Sequence, residues 1–332
     1  MLSVISRSIT AAALVTALSA SASFAATDCS LKQISSMHAS LSANGELLVD
    51  ATLNGFPVKF NIATNSEISS IDEKFAQRAG MPIIDLHNQA IYASGQRTIN
   101  QGTRISTLEL GQAKTSNESF VIAPGGSDGT DGDYVGTLAG DYLSNYDIEL
   151  DLADGKVNLF SHDHCEGQVV YWAKEYLASP IYMSNTGIAH RPQIDVVADG
   201  KTLRAMIATG FSATVLRLAV AEARLDLTPN SADLPEAGTW ADSDGKQFSR
   251  YTHTFKSLGI GDITLHNSTA YVVPLNIAAH VESTGSHIAD INSQQPDMYI
   301  GMNLLKQLRV YIAYTENMIY YTVAPRKQAA VQ

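Results

Sequence analysis

The sequence contains an internal duplication, which restricts the possible folds more than any other feature. Residues 54–71 are NGFPVKFNIATNSEISSI, and residues 199–216 are DGKTLRAMIATGFSATVL. The two segments align without a gap, and the alignment places Ala63 on Ala208. A repeated block of this length predicts that the chain is built from two copies of one domain.

Two further pairs of segments support the duplication. Residues 110–124 match residues 260–274, with the same spacing from a glycine to a proline. Residues 138–152 match residues 300–314. Chance similarity between short strand-rich segments is the alternative, and the shared order of all three blocks argues against it.

Most of the repeated sequence has the pattern of β-strands. Residues 47–53 and 58–62 are short apolar runs on either side of Asn54-Gly55, which is a hairpin signal. Residues 146–152 alternate between apolar and polar side chains, which is typical of a strand with one solvent-facing side.

A short helix is predicted in each copy. In the first copy, Ser70 and Glu73 fit a capping box, and Gly80 stands where a helix commonly ends. The second copy has an alanine-rich run at the matching place, residues 218–225. The two copies therefore share one order of strands and helix.

The composition excludes several classes of function. The chain has 332 residues, of which 45% are apolar, and a formal net charge of −11. This length suits two domains. An acidic chain without a basic face is not expected to bind nucleic acid or anionic lipid. Beyond the N-terminus, no apolar run reaches the roughly 18 residues that indicate a transmembrane helix.

The N-terminus has the pattern of a secretory signal peptide. Arg7 supplies the positive charge, residues 9–20 form a short apolar run, and small residues follow. A buried N-terminal helix is the alternative. Residues 1–25 are therefore expected to be removed on export, which gives a soluble periplasmic or secreted protein.

The two cysteines, Cys29 and Cys165, are expected to form a disulfide because export leads to an oxidising compartment. Closing so long a loop would stabilise the fold by roughly 4–5 kcal/mol. Two unpaired thiols are the alternative. A metal site at His162, His164 and Cys165, or calcium in the acidic residues 124–133, is a weaker interpretation. No metal or cofactor is predicted.

The order of elements in each copy resembles the retropepsin-like aspartic peptidases, and more closely the bacterial chains that carry two such domains. The most specific match is YIGMNLL at residues 299–305, which is similar to the turn and helix that support the active-site loop. LAGDYL at residues 138–143 is the version in the first copy. The resemblance implies an all-β fold of two tandem retropepsin-like β-barrel lobes, each with one or two short helices, related by pseudo-twofold symmetry.

The resemblance also sets the expected domain boundaries. The N-terminal lobe is expected to span residues 27–165, and the C-terminal lobe residues 191–325. Residues 166–190 are expected to link them. The lobes are expected to pair within one chain, so that the protein is a monomer.

The loop that carries the chemistry in that family is degenerate in both copies. Each lobe of these peptidases contributes an Asp-Thr-Gly loop, and the paired aspartates act as general base and general acid. The matching residues are Ala63, Thr64 and Asn65 in the first copy, and Ala208, Thr209 and Gly210 in the second. Alanine neither accepts nor donates a proton, so the acid–base pair is expected to be lost.

The resemblance further implies a hairpin flap from each lobe over a cleft between the lobes. The flap residues expected at the cleft are Tyr92, Ser94 and Gly95 in the first copy, and Trp240, Asp244 and Gly245 in the second. Packing of the two aromatic side chains against their own lobe is the alternative. An extended peptide would lie between the flaps and the floor of the cleft.

Three functions fit these features. The first is an inactive protein that binds an extended peptide or a protein partner in the cleft. The second is an active endopeptidase of the aspartic type with a non-standard acid, for which Asp50, Asp72 and Asp195 are candidates. The third is a structural protein of the cell envelope. Loss of both aspartates within an otherwise retained pattern favours the first.

Overall fold

The computed structural model describes most of the chain beyond the N-terminal segment. The described residues are 29–86, 89–92, 98–123, 133–183, 190–241, 246–275, 280–283 and 295–325, and at 89–92, 98 and 280–283 the description is of the backbone alone.

The first lobe consists of twelve described strands and two short helices. They are β1 (Gln33–Leu41), β2 (Leu47–Leu53), β3 (Phe56–Ile62), β4 (Ser70–Asp72), α1 (Glu73–Arg78), β5 (Ile83–Asp85), β6 (Gln89–Tyr92), β7 (Thr98–Ile99), β8 (Gln101–Leu110), β9 (Ala113–Ala123), β10 (Gly136–Leu138), α2 (Gly140–Leu143), β11 (Asp147–Asp151) and β12 (Lys156–Phe160).

The rest of the described chain has the same kind of composition. Its elements are β13 (Leu177–Pro180), β14 (Tyr182–Met183), β15 (Pro192–Ala198), β16 (Lys201–Ile207), β17 (Val215–Arg217), α3 (Leu218–Leu225), β18 (Glu236–Ala241), β19 (Gln247–Ile260), β20 (Ile263–Val273), β21 (His280–Ser283), β22 (Met298–Ile300), α4 (Met302–Leu305), β23 (Leu308–Ala313) and β24 (Met318–Val323). None of the helices in the described ranges is long and apolar enough to cross a membrane.

Each lobe contains a closed six-stranded barrel, and the strand order is the same in both. The first barrel runs β2-β3-β10-β4-β9-β8 and closes by pairing of β2 with β8. The second runs β15-β16-β22-β17-β20-β19 and closes by pairing of β15 with β19. The parallel pairs also correspond, since β3–β10 and β4–β9 match β16–β22 and β17–β20. The predicted all-β fold of two related barrel lobes is confirmed.

A six-stranded sheet joins the barrels, in the order β13-β24-β23-β11-β12-β1. Its central pair is symmetric, because Ile148 pairs with Ile312 while Leu150 pairs with Val310. All residues of β11 are buried, although their alternation is typical of a strand with a solvent face. One reason is that Val169 and other apolar residues pack against one side of this sheet.

The turns of the repeated hairpins follow from their sequences. Asn54 and Gly55 have φ angles of 49° and 86°, and Asp199 and Gly200 have φ angles of 46° and 81°. Two consecutive residues with positive φ make the type I′ turn that suits the twist of a hairpin. The hairpin predicted between residues 47 and 62 is therefore confirmed.

The helix of the first lobe begins later than the capping-box pattern predicts. Ser70 lies in β4 and pairs with β9 and β10, so it is not the N-cap. Asp72 is the N-cap, and its carboxylate accepts a hydrogen bond of 2.8 Å from the backbone N–H of Phe75. The prediction of Ser70 as the cap is wrong because its backbone is used in the barrel. The helix predicted at residues 218–225 is confirmed as α3.

Candidate functional site

The two degenerate loops meet at the interface between the lobes, and two threonines lock them together. Thr64 Oγ1 donates to the backbone carbonyl of Ile207 at 2.7 Å, and Thr209 Oγ1 donates to that of Ile62 at 2.5 Å. Each hydroxyl also accepts the backbone N–H of the other threonine, at 3.1 and 3.3 Å. Both threonines are fully buried. This reciprocal arrangement fixes the loops relative to each other.

Equivalent hydrogen bonds support the two loops in the two lobes. In the first lobe, Asp141 accepts from the backbone N–H of Ser69 at 2.9 Å and from its hydroxyl at 2.6 Å. In the second lobe, Asn303 Oδ1 accepts from the backbone N–H and the hydroxyl of Thr214, both at 2.8 Å. Asp141 and Asn303 belong to the 138–143 and 299–305 motifs, so these motifs hold the segments that follow the two loops.

Alanine occupies the position of the acid in both loops. Ala63 and Ala208 are buried, and their backbone N–H groups bond to the equivalent carbonyls of Leu138 and Ile300, each at 3.0 Å. The loop backbones are therefore held alike while neither side chain carries an ionisable group.

Asn65 crosses from one loop to the other. Its Oδ1 accepts a hydrogen bond of 3.1 Å from the backbone N–H of Gly210. A Cβ atom added at Gly210 would lie 2.9 Å from that oxygen and 3.0 Å from the Cβ of Ala63. The glycine is required here by this close approach, and the asparagine side chain fills space beside the acid positions.

The wall of the second lobe beside Ala208 is apolar and aromatic. Ala208 belongs to a buried cluster with Tyr299, and Phe211 and Trp240 pack against this cluster while remaining half-buried. Trp240 lies on β18, the first strand of the hairpin predicted as the second flap. Among the described residues, Trp240 packs against the Ala208 cluster and lies 6.1 Å from the ring of Phe248, both in its own lobe.

The wall of the first lobe is partly ionic. Glu67 follows the first loop and is buried, and Arg191 Nη2 lies 2.6 Å from its Oε1. Arg191 precedes β15, so this ion pair joins the two lobes. Both side chains are about nine-tenths buried or more. The sequence analysis did not identify this pair. The one available signal was that Glu67 is four residues from Ala63 and therefore close to the loop.

The flap residues can be placed only in part. Tyr92 lies at the end of β6, which pairs with β7 and, across the lobes, with β21. The predicted tip residues Ser94, Gly95, Asp244 and Gly245 lie outside the described residues. The backbone thus brings a strand of the second lobe onto the first flap region.

The three alternative acids lie away from the loops. Asp72 caps α1, as described above. Asp50 is exposed beside His38 and Lys59, and Asp195 pairs with Arg204 at 2.9 Å on the surface. No carboxylate within the described ranges is hydrogen-bonded to the hydroxyl of Thr64 or Thr209. None of the three stands in the place of a catalytic aspartate.

The predicted disulfide is confirmed. Cys29 is bonded to Cys165, with their Cα atoms 4.9 Å apart. The bonded sulfur of Cys165 is no longer a metal ligand, and no set of three His, Cys, Asp or Glu side chains in the described part of the chain is arranged to hold a metal ion. The weaker calcium interpretation concerned residues 124–133, of which all but Asp133 lie outside that part.

A second polar cluster lies in the sheet between the lobes. His164 Nε2 is 2.6 Å from Asp147 Oδ2, and the backbone N–H of Tyr314 donates to Asp147 Oδ1 at 2.9 Å. Burial raises the pKa of the Asp147 carboxyl, and the hydrogen bond from His164 opposes that rise. This cluster was not found from the sequence because the alternating strand was taken to be half-exposed.

Comparison with known families agrees with this geometry. A family model described as aspartyl protease matches residues 49–136 and residues 194–304, which are the two barrels with their loops. No curated protein matches the chain at a significant level.

Proposed function

Because this chain belongs to the aspartyl protease family, we propose that it keeps the peptide cleft of that family and has lost its catalytic acids. It would then bind an extended peptide or a protein partner without cleaving it. The finer resemblance, to bacterial chains with two such domains and with alanine at both acid positions, is part of the same proposal.

The chemical reason is local. Peptide hydrolysis by this family needs one carboxylate to deprotonate water and one to protonate the scissile carbonyl. General acid–base catalysis contributes roughly 100- to 10,000-fold per group. Ala63 and Ala208 supply neither group, so no useful turnover is expected.

A single observation carries the proposal: the reciprocal bonding of Thr64 and Thr209 joins two loops that hold alanine at both acid positions. Buried hydroxyls that exchange bonds between lobes serve to position the loops and to stabilise the pairing of the lobes. The presence of these hydroxyls supports a retained cleft. A chain that needed only its two barrels would not require the two loops to keep a fixed position relative to each other.

The proposal includes export. The N-terminal sequence favours a signal peptide over residues 1–25, and a disulfide is stable in oxidising compartments. We place the mature protein in the periplasm or outside the cell, as a monomer whose lobes pair within one chain. Its ligand would lie extended between the flaps and the loops, held by backbone hydrogen bonds and alternate side-chain pockets.

An active enzyme with another acid is the second candidate, and Glu67 is the observation that bears on it. It is the buried carboxylate nearest to the first loop in sequence, yet it is bound to Arg191 at 2.6 Å. An ion pair with arginine favours the ionised carboxylate, which does not suit a general acid. A purely structural role in the cell envelope remains the third candidate.

The proposal is tested by exposing the mature protein to a library of unstructured peptides and following both retention and cleavage in one sample by mass spectrometry. Selective retention of intact peptides is expected at neutral pH, with no cleavage at acid or neutral pH. New peptide termini in the library would show an active enzyme. Absence of both retention and cleavage would favour the structural role.

A further inference from the structure

Two arginine side chains near the second loop carry donors that no described group satisfies. The Nε atoms of Arg191 and Arg217 are buried and have no hydrogen-bond partner in the part of the chain that the structure describes. Buried polar groups in native proteins are almost always paired with protein, water or a bound ion. The two arginines therefore indicate a place where a further acceptor belongs.

The strand register places Arg217 on the aromatic wall of the cleft. Val215 pairs with Tyr299 across β17 and β22, and both belong to or pack against the cluster that contains Ala208. Arg217 is two residues beyond Val215, and side chains two apart on a strand point to the same face. Arg217 thus lies on the same side of the sheet as Tyr299.

The local charges do not cancel. Arg191 is neutralised by Glu67 at 2.6 Å. Arg217 forms no ion pair with any residue in the described ranges, and the neighbouring carboxylate of Asp297 binds Arg224 at 2.6 Å instead. One positive charge therefore remains beside the aromatic wall, in a chain whose net charge is −11.

The electrostatics of Tyr299 agree with this geometry. Burial raises the pKa of its hydroxyl, whereas the positive charges of Arg191 and Arg217 lower it and the charge of Glu67 raises it further. All three charges act on one buried hydroxyl, so each of them lies within electrostatic range of Tyr299.

We propose that this wall recognises a carboxylate of the bound peptide, held by Arg217 and by the free Nε of Arg191 next to Tyr299 and Phe211. The inference rests on the proposed function and names the class of ligand: peptides with an acidic side chain or a C-terminal carboxylate. Arginine suits this role because its planar donors match a carboxylate. Aromatic neighbours limit access of water, which strengthens such a bond.

Three libraries of hexapeptides test the proposal. All are acetylated; one is amidated with Glu at a fixed central position, one is amidated with Gln there, and one has Gln there and a free C-terminal carboxylate. A hydrogen bond to a charged group contributes about 1.5–3 kcal/mol, so retention of a carboxylate library is expected to exceed that of the neutral one by about tenfold or more. The two acidic arms distinguish a side chain from a chain end as the source.

The matched variants are Arg217→Met and Arg104→Met, which remove the same charge from the wall and from an exposed position on β8. The preference for carboxylate should fall to about twofold or less in Arg217→Met and remain in Arg104→Met. Both should unfold at temperatures close to that of the unmodified protein. Equal retention of acidic and neutral libraries, or a preference unchanged by Arg217→Met, overturns the inference while leaving peptide binding intact. Retention of no library contradicts the proposed function itself.

Discussion

The two lobes have the same backbone arrangement, and they meet through matching threonines in the loops but through different side chains around them. The loops correspond bond for bond through Thr64 and Thr209, yet Asn65 faces Gly210 across the interface. In the central sheet, the buried acid Glu149 on β11 lies opposite Tyr311 on β23. Buried backbone bonds and hydroxyls were kept in both copies, while the contacting side chains became complementary.

This difference explains how a duplicated domain becomes a single unit. Glu149 and Asp151 of the first lobe are buried and share Arg309 of the second, at 2.7 Å and 3.1 Å. Two copies of the first lobe would bring buried carboxylates together without a cation. The lobes are therefore suited to each other and not to themselves, which favours the pairing of a first lobe with a second lobe.

The largest effect is expected from removing the shared cation. Arg309→Leu leaves Glu149 and Asp151 buried without a cation, and breaking a buried ion pair in this way costs about 3–5 kcal/mol of unfolding free energy. Arg204→Leu is the control, because its pair with Asp195 is partly exposed and is worth about 0–1 kcal/mol. Urea denaturation measures both. Equal, small losses in the two variants would mean that the lobes are not held by this complementarity.

The next largest loss of stability is expected at the two threonines, which both lobes share. Thr64→Val and Thr209→Val each leave buried backbone groups unpaired at nearly constant volume, with an expected cost of about 1–3 kcal/mol. The two losses should be similar, and the double variant should lose less than their sum because the hydroxyls share partners. Chemical denaturation of the three variants checks this. A large loss of unfolding free energy for one threonine alone would show that the two threonines do not contribute equally to holding the loops together.

An effect of no more than that size is expected at Asn65 and Gly210, where the lobes differ. Gly210→Ala places a methyl group 2.9 Å from Asn65 Oδ1, and overpacking typically costs about 1–3 kcal/mol. The cost should decrease in the background of Asn65→Gly, where that oxygen is absent. Gly259→Ala is the control, since its nearest neighbours would lie at 3.6 Å. If thermal unfolding gives the same cost with and without Asn65, the crossing side chain does not crowd the glycine.

The smallest effect is a pH dependence at the sheet between the lobes. Burial, and then its hydrogen bond to Glu149, raises the pKa of Tyr171 to about 12, above the ordinary value near 10. Between these values the folded chain holds a proton that the unfolded chain releases, so this tyrosine contributes stability that falls as pH rises. The unfolding free energy of the unmodified protein should therefore decrease relative to Tyr171→Phe from pH 9 to 11. An increase would contradict the shift. Tyr171 is half-exposed, so the change is small.

Much of the fold was predictable because it depends on local patterns and on repetition. The Asn54-Gly55 turn and the degenerate loops each carry their structural meaning in a few adjacent residues, and the chain has only two cysteines to pair. The capping box failed because Ser70 has a tertiary role: its backbone belongs to the barrel, and the cap moves to Asp72. Alternation around Glu149 suggested a solvent face, but residues 169–172 cover that face of the sheet.

The residues of the site that occur in both copies could be predicted from the sequence, whereas those that occur in one copy only could not. Alignment of the two copies identified Ala63 and Ala208, because the two positions coincide in the alignment. Glu67 and Arg191 have no counterpart pair, because the residue matching Glu67 is Ser212. Such a contact depends on how the lobes are oriented, which no local pattern records.

The measurement that tests the account most directly is cleavage of a peptide library by the unmodified protein and by the triple variant Ala63→Asp, Asn65→Gly, Ala208→Asp. If only the acids and the crossing side chain separate this chain from an active peptidase, the triple variant should gain acid-pH cleavage that a pepstatin-type inhibitor blocks. The unmodified protein and the Asn65→Gly control should leave every peptide intact. Cleavage by the unmodified protein, abolished by mutating one other carboxylate such as Glu67→Gln, would contradict the account.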